Sequence, residues 1–234
     1  MDTVIQIRDV VKHYGSGASQ VRALQGVDLD VRAGEVLALM GPSGSGKTTL
    51  LSIMGCILRA TAGSVRIAGR EMVGLPESEL PRVRLQHFGF IFQGFNLFPA
   101  LTARENVEIA LDLKHVPRRQ ARGRAEELLA GVGLVEKAAS HPADLSGGEK
   151  QRVAIARALA GDPPMILADE PTAALDSASG KTVMTILSSL AHQRSRAVVV
   201  VTHDPRVLGY ADRVVRMADG RMLVAAEQST ELVD

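Results

Sequence analysis

The segment Gly41-Pro-Ser-Gly-Ser-Gly-Lys47-Thr48 follows directly on the apolar run Val36-Leu37-Ala38-Leu39-Met40. No other feature constrains the chain as much. The spacing fits Gly-x4-Gly-Lys-[Ser/Thr], the pattern of a phosphate-binding loop between a strand and a helix. Gly41, Gly44 and Gly46 let backbone N–H groups turn inward without a Cβ in the way. Pro42, Ser43 and Ser45 complete the cradle, and Thr49 follows it. A helix starting at Lys47 adds the positive end of its dipole. Lys47 is placed to reach the β- and γ-phosphates, and the Thr48 hydroxyl to bind Mg²⁺. The alternative is a Gly/Ser-rich turn with a solvated lysine, which the strand–helix setting disfavours. ATP and Mg²⁺ are the expected ligands.

A phosphate loop needs neighbouring parallel strands, and the sequence supplies them. Val36 to Met40, residues 165–168 and residues 197–201 are short apolar runs of the kind buried on both faces of a parallel sheet. Residues 88–92 read as a further strand. Val4, Ile5 and Ile7 open an N-terminal strand; Leu24, Val27, Leu29 and Val31 mark another, with Asp28 and Asp30 on its opposite side. Helices are expected over 47–58, over 101–135 with a break at Pro117, from near Ser146 to 160, and over 177–192. Strands alternating with helices give an α/β fold. The middle, about 94–161, reads as a helical lobe inserted between core segments 1–93 and 162–234.

The 234 residues allow one large domain or two lobes with a proper core. The formal charge of +1 gives no electrostatic footprint for nucleic acid. Cys56 is the single cysteine, so no internal disulfide forms, which fits a reducing compartment. No apolar run approaches the ~20 residues that span a bilayer, and the N-terminus is not laid out as a secretory signal. The expectation is a cytoplasmic protein that reaches a membrane only through a partner.

Two carboxylates close the strand at 165–168. Asp169 suits the strand-end aspartate that helps hold Mg²⁺, and Glu170 could orient or deprotonate an attacking water. His203 ends the 197–201 strand after Thr202, at the sheet edge where ligands bind. There it could donate to a γ-phosphate, although a lone histidine is more often structural.

With these residues in place, Leu145-Ser146-Gly147-Gly148-Glu149 becomes specific. It resembles the Leu-Ser-Gly-Gly-Gln signature of ABC transporter ATP-binding subunits, with Glu149 in place of the usual glutamine. Ser-Gly-Gly before a helix is a second anion-binding helix start. One chain needs one phosphate loop per nucleotide, so a second such site suggests a second molecule. The resemblance implies a homodimer in which each ATP lies between the phosphate loop of one chain and the signature of the other. It implies a phosphate-loop NTPase fold with a RecA-like parallel core and an N-terminal antiparallel β flank. It also implies that Tyr14 stacks on adenine, that Gln93 links Mg²⁺ to the helical lobe, that Glu170 is catalytic and that His203 is the switch histidine. Ala173-Ala-Leu-Asp176 resembles the loop that touches the opposite subunit, with alanine where serine or glycine is usual.

The resemblance spans residues 4–223. Residues 91–107 and 167–176 resemble the lipoprotein-releasing and macrolide-exporter group, and together look like the ATPase of the heterocyst-glycolipid exporter. Such a resemblance implies an ATPase on the inner face of the membrane, driving export through a separate permease, in some systems with a periplasmic adaptor. The permease and adaptor would select the substrate. The short tail after Gly220 leaves little room for the regulatory domain of some importers. A signalling complex, as in cell division, would use the same engine. DNA-repair and translation members carry coiled-coil insertions or paired domains that are lacking here. The basic segment from Lys114 to Arg124 could meet acidic lipid, but a solvated helix start is the simpler reading. Cys56 is expected in the core, on the helix after the phosphate loop.

Overall fold

The computed structural model describes residues 2–15 and 20–223. The tail expectation concerns a segment that lies mostly outside the described residues.

Two sheets stand against each other. The first is antiparallel, in the order β2-β1-β4-β5, from β1 (Thr3–Tyr14), β2 (Val21–Arg32), β4 (Ala62–Ile67) and β5 (Arg70–Glu71). Its inward side chains, Ile5, Ile7, Val10, Leu24, Val27, Leu29 and Val31, are buried. The two-residue alternation slips between Ile7 and Val10, where the β1–β2 register shifts and Asp9 takes a φ of 47°. This is a bulge, and it keeps both halves of β1 facing the core.

The second sheet has six strands in the order β10-β9-β3-β8-β7-β6. They are β3 (Val36–Met40), β6 (Phe88–Ile91), β7 (Met165–Asp169), β8 (Ala197–Thr202), β9 (Arg213–Ala218) and β10 (Arg221–Met222). All the pairings from β6 to β9 are parallel; β10 turns back antiparallel on β9. The core sheet is therefore mixed rather than wholly parallel. Strand β8 shows why its sequence is a run of valines. Val199 and Val201 enter the core shared with the first sheet and the helix α1 (Lys47–Met54), while Val198 and Val200 enter the core shared with the other helices. Both faces are dry, so both alternate sets are apolar.

The remaining helices are α2 (Leu80–His87), α3 (Ala103–Leu113), α4 (Arg118–Gly131), α5 (Gly147–Ala158) and α6 (Ser177–Arg194). Pro117 divides α3 from α4, since its missing N–H and fixed φ suit a helix start rather than an interior. Val107, Leu111, Leu129 and Val153 of the helical region join Ile166, Val198 and Val200 of the sheet in one cluster. The helical region thus shares its core with the sheet. On α4 the basic segment is a solvated face, with Arg122 paired to Glu126 and Arg124 to Glu127.

Helix α1 is shorter than its apolar pattern suggests. It ends at Gly55, where an added Cβ would lie 2.4 Å from the Phe90 ring. Cys56 then takes a left-handed φ of 56°. The cysteine is buried as expected but sits past the helix, not on it, and burial pushes its thiol up to about 11. Among the described residues no helix is long and apolar enough to cross a membrane.

Candidate functional site

An open cleft of about 640 Å³ lies at the C-terminal ends of β3, β7 and β8. Ligand sites in parallel sheets occupy this edge. Pro42, Ser43, Gly44, Gly46, Lys47, Thr48, Thr49, Gln93, Asp169, Glu170 and His203 line it together with Ala23.

The loop from Gly41 to Gly46 is held from behind by β2 and by the β9–β10 hairpin, the latter not expected from the sequence. A Cβ on Gly41, whose φ is 149°, would stand 2.1 Å from the Met217 carbonyl oxygen of β9. Gly220 N donates to Ser45 O at 3.1 Å. A Cβ on Gly46 would meet the Ala23 carbonyl oxygen of β2 at 2.6 Å. Glycine is required at both places by close backbone approach. Side-chain caps close the starts of α3, α5 and α6, but α1 has none, and its first turn opens on the cleft. Its N–H groups remain donors for an anion.

Lys47 is 7% exposed. Its Nζ donates to Gly41 O at 2.7 Å and to Pro42 O at 2.8 Å, with Ser45 Oγ at 3.4 Å. Burial lowers its pKa, and the Glu170 and Asp169 carboxylates oppose that shift. The Thr48 hydroxyl donates to Asp169 Oδ1 at 3.1 Å. Burial raises the Asp169 pKa; the Thr48 hydrogen bond and Lys47 pull it down, while Glu170 adds to the rise. A hydroxyl and a carboxylate side by side are hard oxygen donors. They fit Mg²⁺, which takes one or two protein oxygens and completes its shell with phosphate and water.

Glu170 follows β7 with a left-handed φ of 48°, unusual for a side chain of its kind, and its N–H donates to Val201 O at 2.9 Å. Its Oε1 lies 2.8 Å from His203 Nδ1, and Thr202 Oγ1 donates to Oε2 at 3.3 Å. With Glu170 ionised, His203 carries its proton on Nδ1 and leaves Nε2 unused by this contact. One carboxylate, one imidazole and one hydroxyl are therefore gathered across the cleft from Lys47.

Gln93 lies just beyond β6, at the start of a loop that the helices pin. Phe95 and Asn96 both have left-handed φ values, 61° and 51°. Arg157, near the end of α5, donates to the Phe95 carbonyl at 2.8 Å and to the Asn96 carbonyl. Buried Asn106 accepts from Phe98 N at 2.8 Å and donates to Leu101 O and Thr102 O at 3.0 Å each.

The other residues singled out by the sequence do not line this cleft. Tyr14, at the end of β1, is 40% exposed, with Lys12 Nζ 5.1 Å from its ring centroid. Ser146, Gly147, Gly148 and Glu149 form the start of α5, and Asp176 caps α6. These two helix starts touch. A Cβ on Gly148 would lie 2.6 Å from Ser179 Oγ, and one on Gly147 3.3 Å from Ala174 O. The signature and the 173–176 loop thus make a second, contiguous surface. Glu149 explains its own presence there: its Oε2 accepts from Ser146 N at 2.8 Å, while Ser146 Oγ accepts from Glu149 N at 3.3 Å. This is a reciprocal capping box, and a glutamate serves it as well as a glutamine.

The sequence reading missed Ala23, Thr202, Asn106 and Arg157. Thr202 was signalled by its place before His203; the other three carry no local pattern.

The family model for the ABC transporter matches residues 24–173. The macrolide export ATP-binding/permease protein MacB of Escherichia coli (strain K12) is 46% identical over 223 residues, covering 95% of this chain and 34% of that protein. MacB of Shigella flexneri is 45% identical over the same length. The chain spans about a third of the length of the curated relatives it matches. Among solved structures, the ATP-binding cassette MJ0796 matches with a TM-score of 0.87 and 43% identity, covering 94% of this chain and 97% of that one; it was solved as a dimer in a post-hydrolysis state bound to ADP and Pi. CbiO1 of Clostridium perfringens, part of the transporter complex cbiONQ, gives a TM-score of 0.86 at 27% identity. The chain belongs to the ABC transporter family. It is an ATP-binding cassette of that family, similar to the MacB and MJ0796 cassettes, and it hydrolyses ATP to ADP and phosphate.

Proposed function

We propose that two copies of this chain close around two ATP molecules and drive a membrane permease that exports its substrate. The observation that carries this reading is the division of the family residues between two surfaces. One is the cleft of Lys47, Thr48, Gln93, Asp169, Glu170 and His203; the other is the capped signature with Asp176. A head-to-tail pair brings each surface onto its counterpart. The dimeric MJ0796 cassette supports this arrangement.

In the closed pair, the loop amides and Lys47 hold the β- and γ-phosphates, and Thr48, Asp169 and Gln93 hold Mg²⁺. Bound there, the metal neutralises phosphate charge. Ser146, Gly147 and Gly148 of the second copy face the γ-phosphate. Glu170 takes a proton from the attacking water or orients it, and His203 donates to the γ-phosphate. Lys47 and the amides offset the charge that develops, so catalysis is positioning plus electrostatics. Tyr14 packs on adenine beside the cleft.

The permease contact falls beside the Gln93 loop. Phe98 and Leu113 are 50% and 59% exposed, and with Leu85 and Ile109 they line an apolar hollow of about 320 Å³. Exposed apolar side chains in one patch mark an interaction surface. MacB carries its ATP-binding part and its permease in one protein; the cassette here works with a permease on the inner face of the cell membrane. Residues 91–107 and 167–176 support an exporter of the lipoprotein or macrolide kind, with features that also resemble the heterocyst-glycolipid exporter, and a periplasmic adaptor as a further partner.

Native purification from gently solubilised membranes, with partners identified by mass spectrometry, tests this. A co-purifying permease with a large outer domain is expected. Recovery of the chain free of any membrane protein would overturn the transport reading and leave the ATPase standing.

A further inference from the structure

The two side chains placed for hydrolysis are tied to a hydrogen-bond path that leaves the cleft. Thr202 Oγ1 donates to Glu170 Oε2 at 3.3 Å and accepts from Asp204 N at 3.0 Å. Thr172, 2% exposed, donates through Oγ1 to Asp204 Oδ2 at 3.4 Å. The mostly buried Asp204 carboxylate is gripped by Arg206, whose Nε lies 2.9 Å from each oxygen and whose Nη2 lies 2.8 Å from Oδ2. Arg206 Nη1 donates to Ser177 Oγ at 2.9 Å. Ser177 opens α6, whose first turn is capped by Asp176 and packs on Gly148 of the signature helix.

One guanidinium therefore joins the loop carrying His203 to the helix start that touches the signature. The planar fork makes this possible: Arg206 engages a carboxylate side-on and keeps another N–H for Ser177, which a lysine ammonium cannot reproduce in the same geometry. An ordinary half-exposed ion pair would contribute little. This one is backed by the buried Thr172 behind its carboxylate and reaches the exposed Ser177 hydroxyl at the start of α6.

We propose that Arg206 is a positioning residue for hydrolysis, fastening Asp204 to Ser177 so that Glu170 and His203 keep register with the first turn of α6. The inference rests on Glu170 acting on the water. Arg206 lies outside the nucleotide cleft, so its loss should lower turnover without weakening ATP binding.

The test is steady-state ATP hydrolysis by the full chain carrying Arg206→Ala, Arg206→Lys or Ser177→Ala, with Glu170→Gln as reference. The expected result is a kcat about ten-fold lower in Arg206→Ala, with KM for ATP within about two-fold of wild type. Arg206→Lys should fall between them, and Ser177→Ala, which leaves the Asp204 pair intact, should show the same split more weakly. Wild-type kcat in Arg206→Ala beside an inactive Glu170→Gln would overturn the positioning role alone. A kcat loss matched by an equal rise in KM would also overturn it. Wild-type turnover in Glu170→Gln would instead overturn the assignment on which the inference rests.

Discussion

Thr48 Oγ1 donates to Asp169 Oδ1 at 3.1 Å, joining the second residue of α1 to the last residue of β7 across 121 positions of sequence. The bond sets two oxygen donors side by side next to the buried Lys47. It also leaves a carboxylate whose pKa burial raises.

That rise makes a stability prediction with a definite sign. A folded-state pKa above the unfolded one means that the folded protein binds this proton more tightly. The favourable contribution is complete below the unfolded pKa and is lost as pH rises through the folded value. At neutral pH the ionised Asp169 is a liability without ligand. Asp169→Asn should melt higher than wild type at pH 7 without nucleotide, and the difference should shrink in acid. The same variant should lose Mg²⁺-dependent ATP hydrolysis. Thermal scans at pH 5 and pH 7, with turnover assays, check both halves.

Gly41→Ala should be far more damaging than its size suggests. The new Cβ would lie 2.1 Å from the Met217 carbonyl, at a φ of 149°. Either the loop or β9 must move. The loss should exceed about 2 kcal/mol in stability and remove ATP binding. Chemical denaturation and nucleotide titration read the two effects separately.

At the signature, the capping box separates the roles of its two ends. Ser146→Ala removes the acceptor for Glu149 N and should cost about 1 kcal/mol. Glu149→Gln keeps the box and should retain most of the activity. The Ser146 backbone N–H, then its hydroxyl, hold the Glu149 carboxyl below its usual range. For a depressed pKa the benefit is present above the unfolded value and lost as pH falls through the folded one. Any advantage of wild type over Glu149→Gln should therefore vanish in acid, as melting curves between pH 3 and pH 7 would show.

Arg157 ties the end of α5 to the strained turn after Gln93. Arg157→Ala leaves two left-handed residues without that anchor. Stability should fall by roughly 1–3 kcal/mol, the usual range for hydrogen bonds made by a charged group. Proteolysis should speed up within 93–101, which limited digestion and mass spectrometry can locate.

The sequence made the cleft legible because its residues are punctuated locally. Gly41 to Thr48 is a contiguous pattern, and Asp169, Glu170 and His203 each end an apolar run. The buried strands were readable for the same reason: residues such as Val198 to Val201 leave no polar face. What escaped was structure defined by distant contacts. The β9–β10 hairpin is half charged and two residues wide at its edge, yet Met217 and Gly220 form the floor of the phosphate loop. Helix α1 stops short of its apolar pattern at Gly55, where the Phe90 ring of β6, distant in sequence, leaves no room for a side chain. The bulge at Asp9 broke the alternation by which β1 would have been traced to Tyr14. The left-handed turn at Glu170 leaves no mark in the residue type.

Two copies close on ATP in the proposed cycle, and Glu170 then drives hydrolysis. Analytical ultracentrifugation of Glu170→Gln with and without MgATP, alongside phosphate release, tests it most directly. The expected result is a species of twice the chain mass only with ATP, and phosphate release slower than wild type by about 10²-fold or more. A variant that hydrolyses ATP at the wild-type rate, or binds it tightly yet remains a monomer, would contradict it.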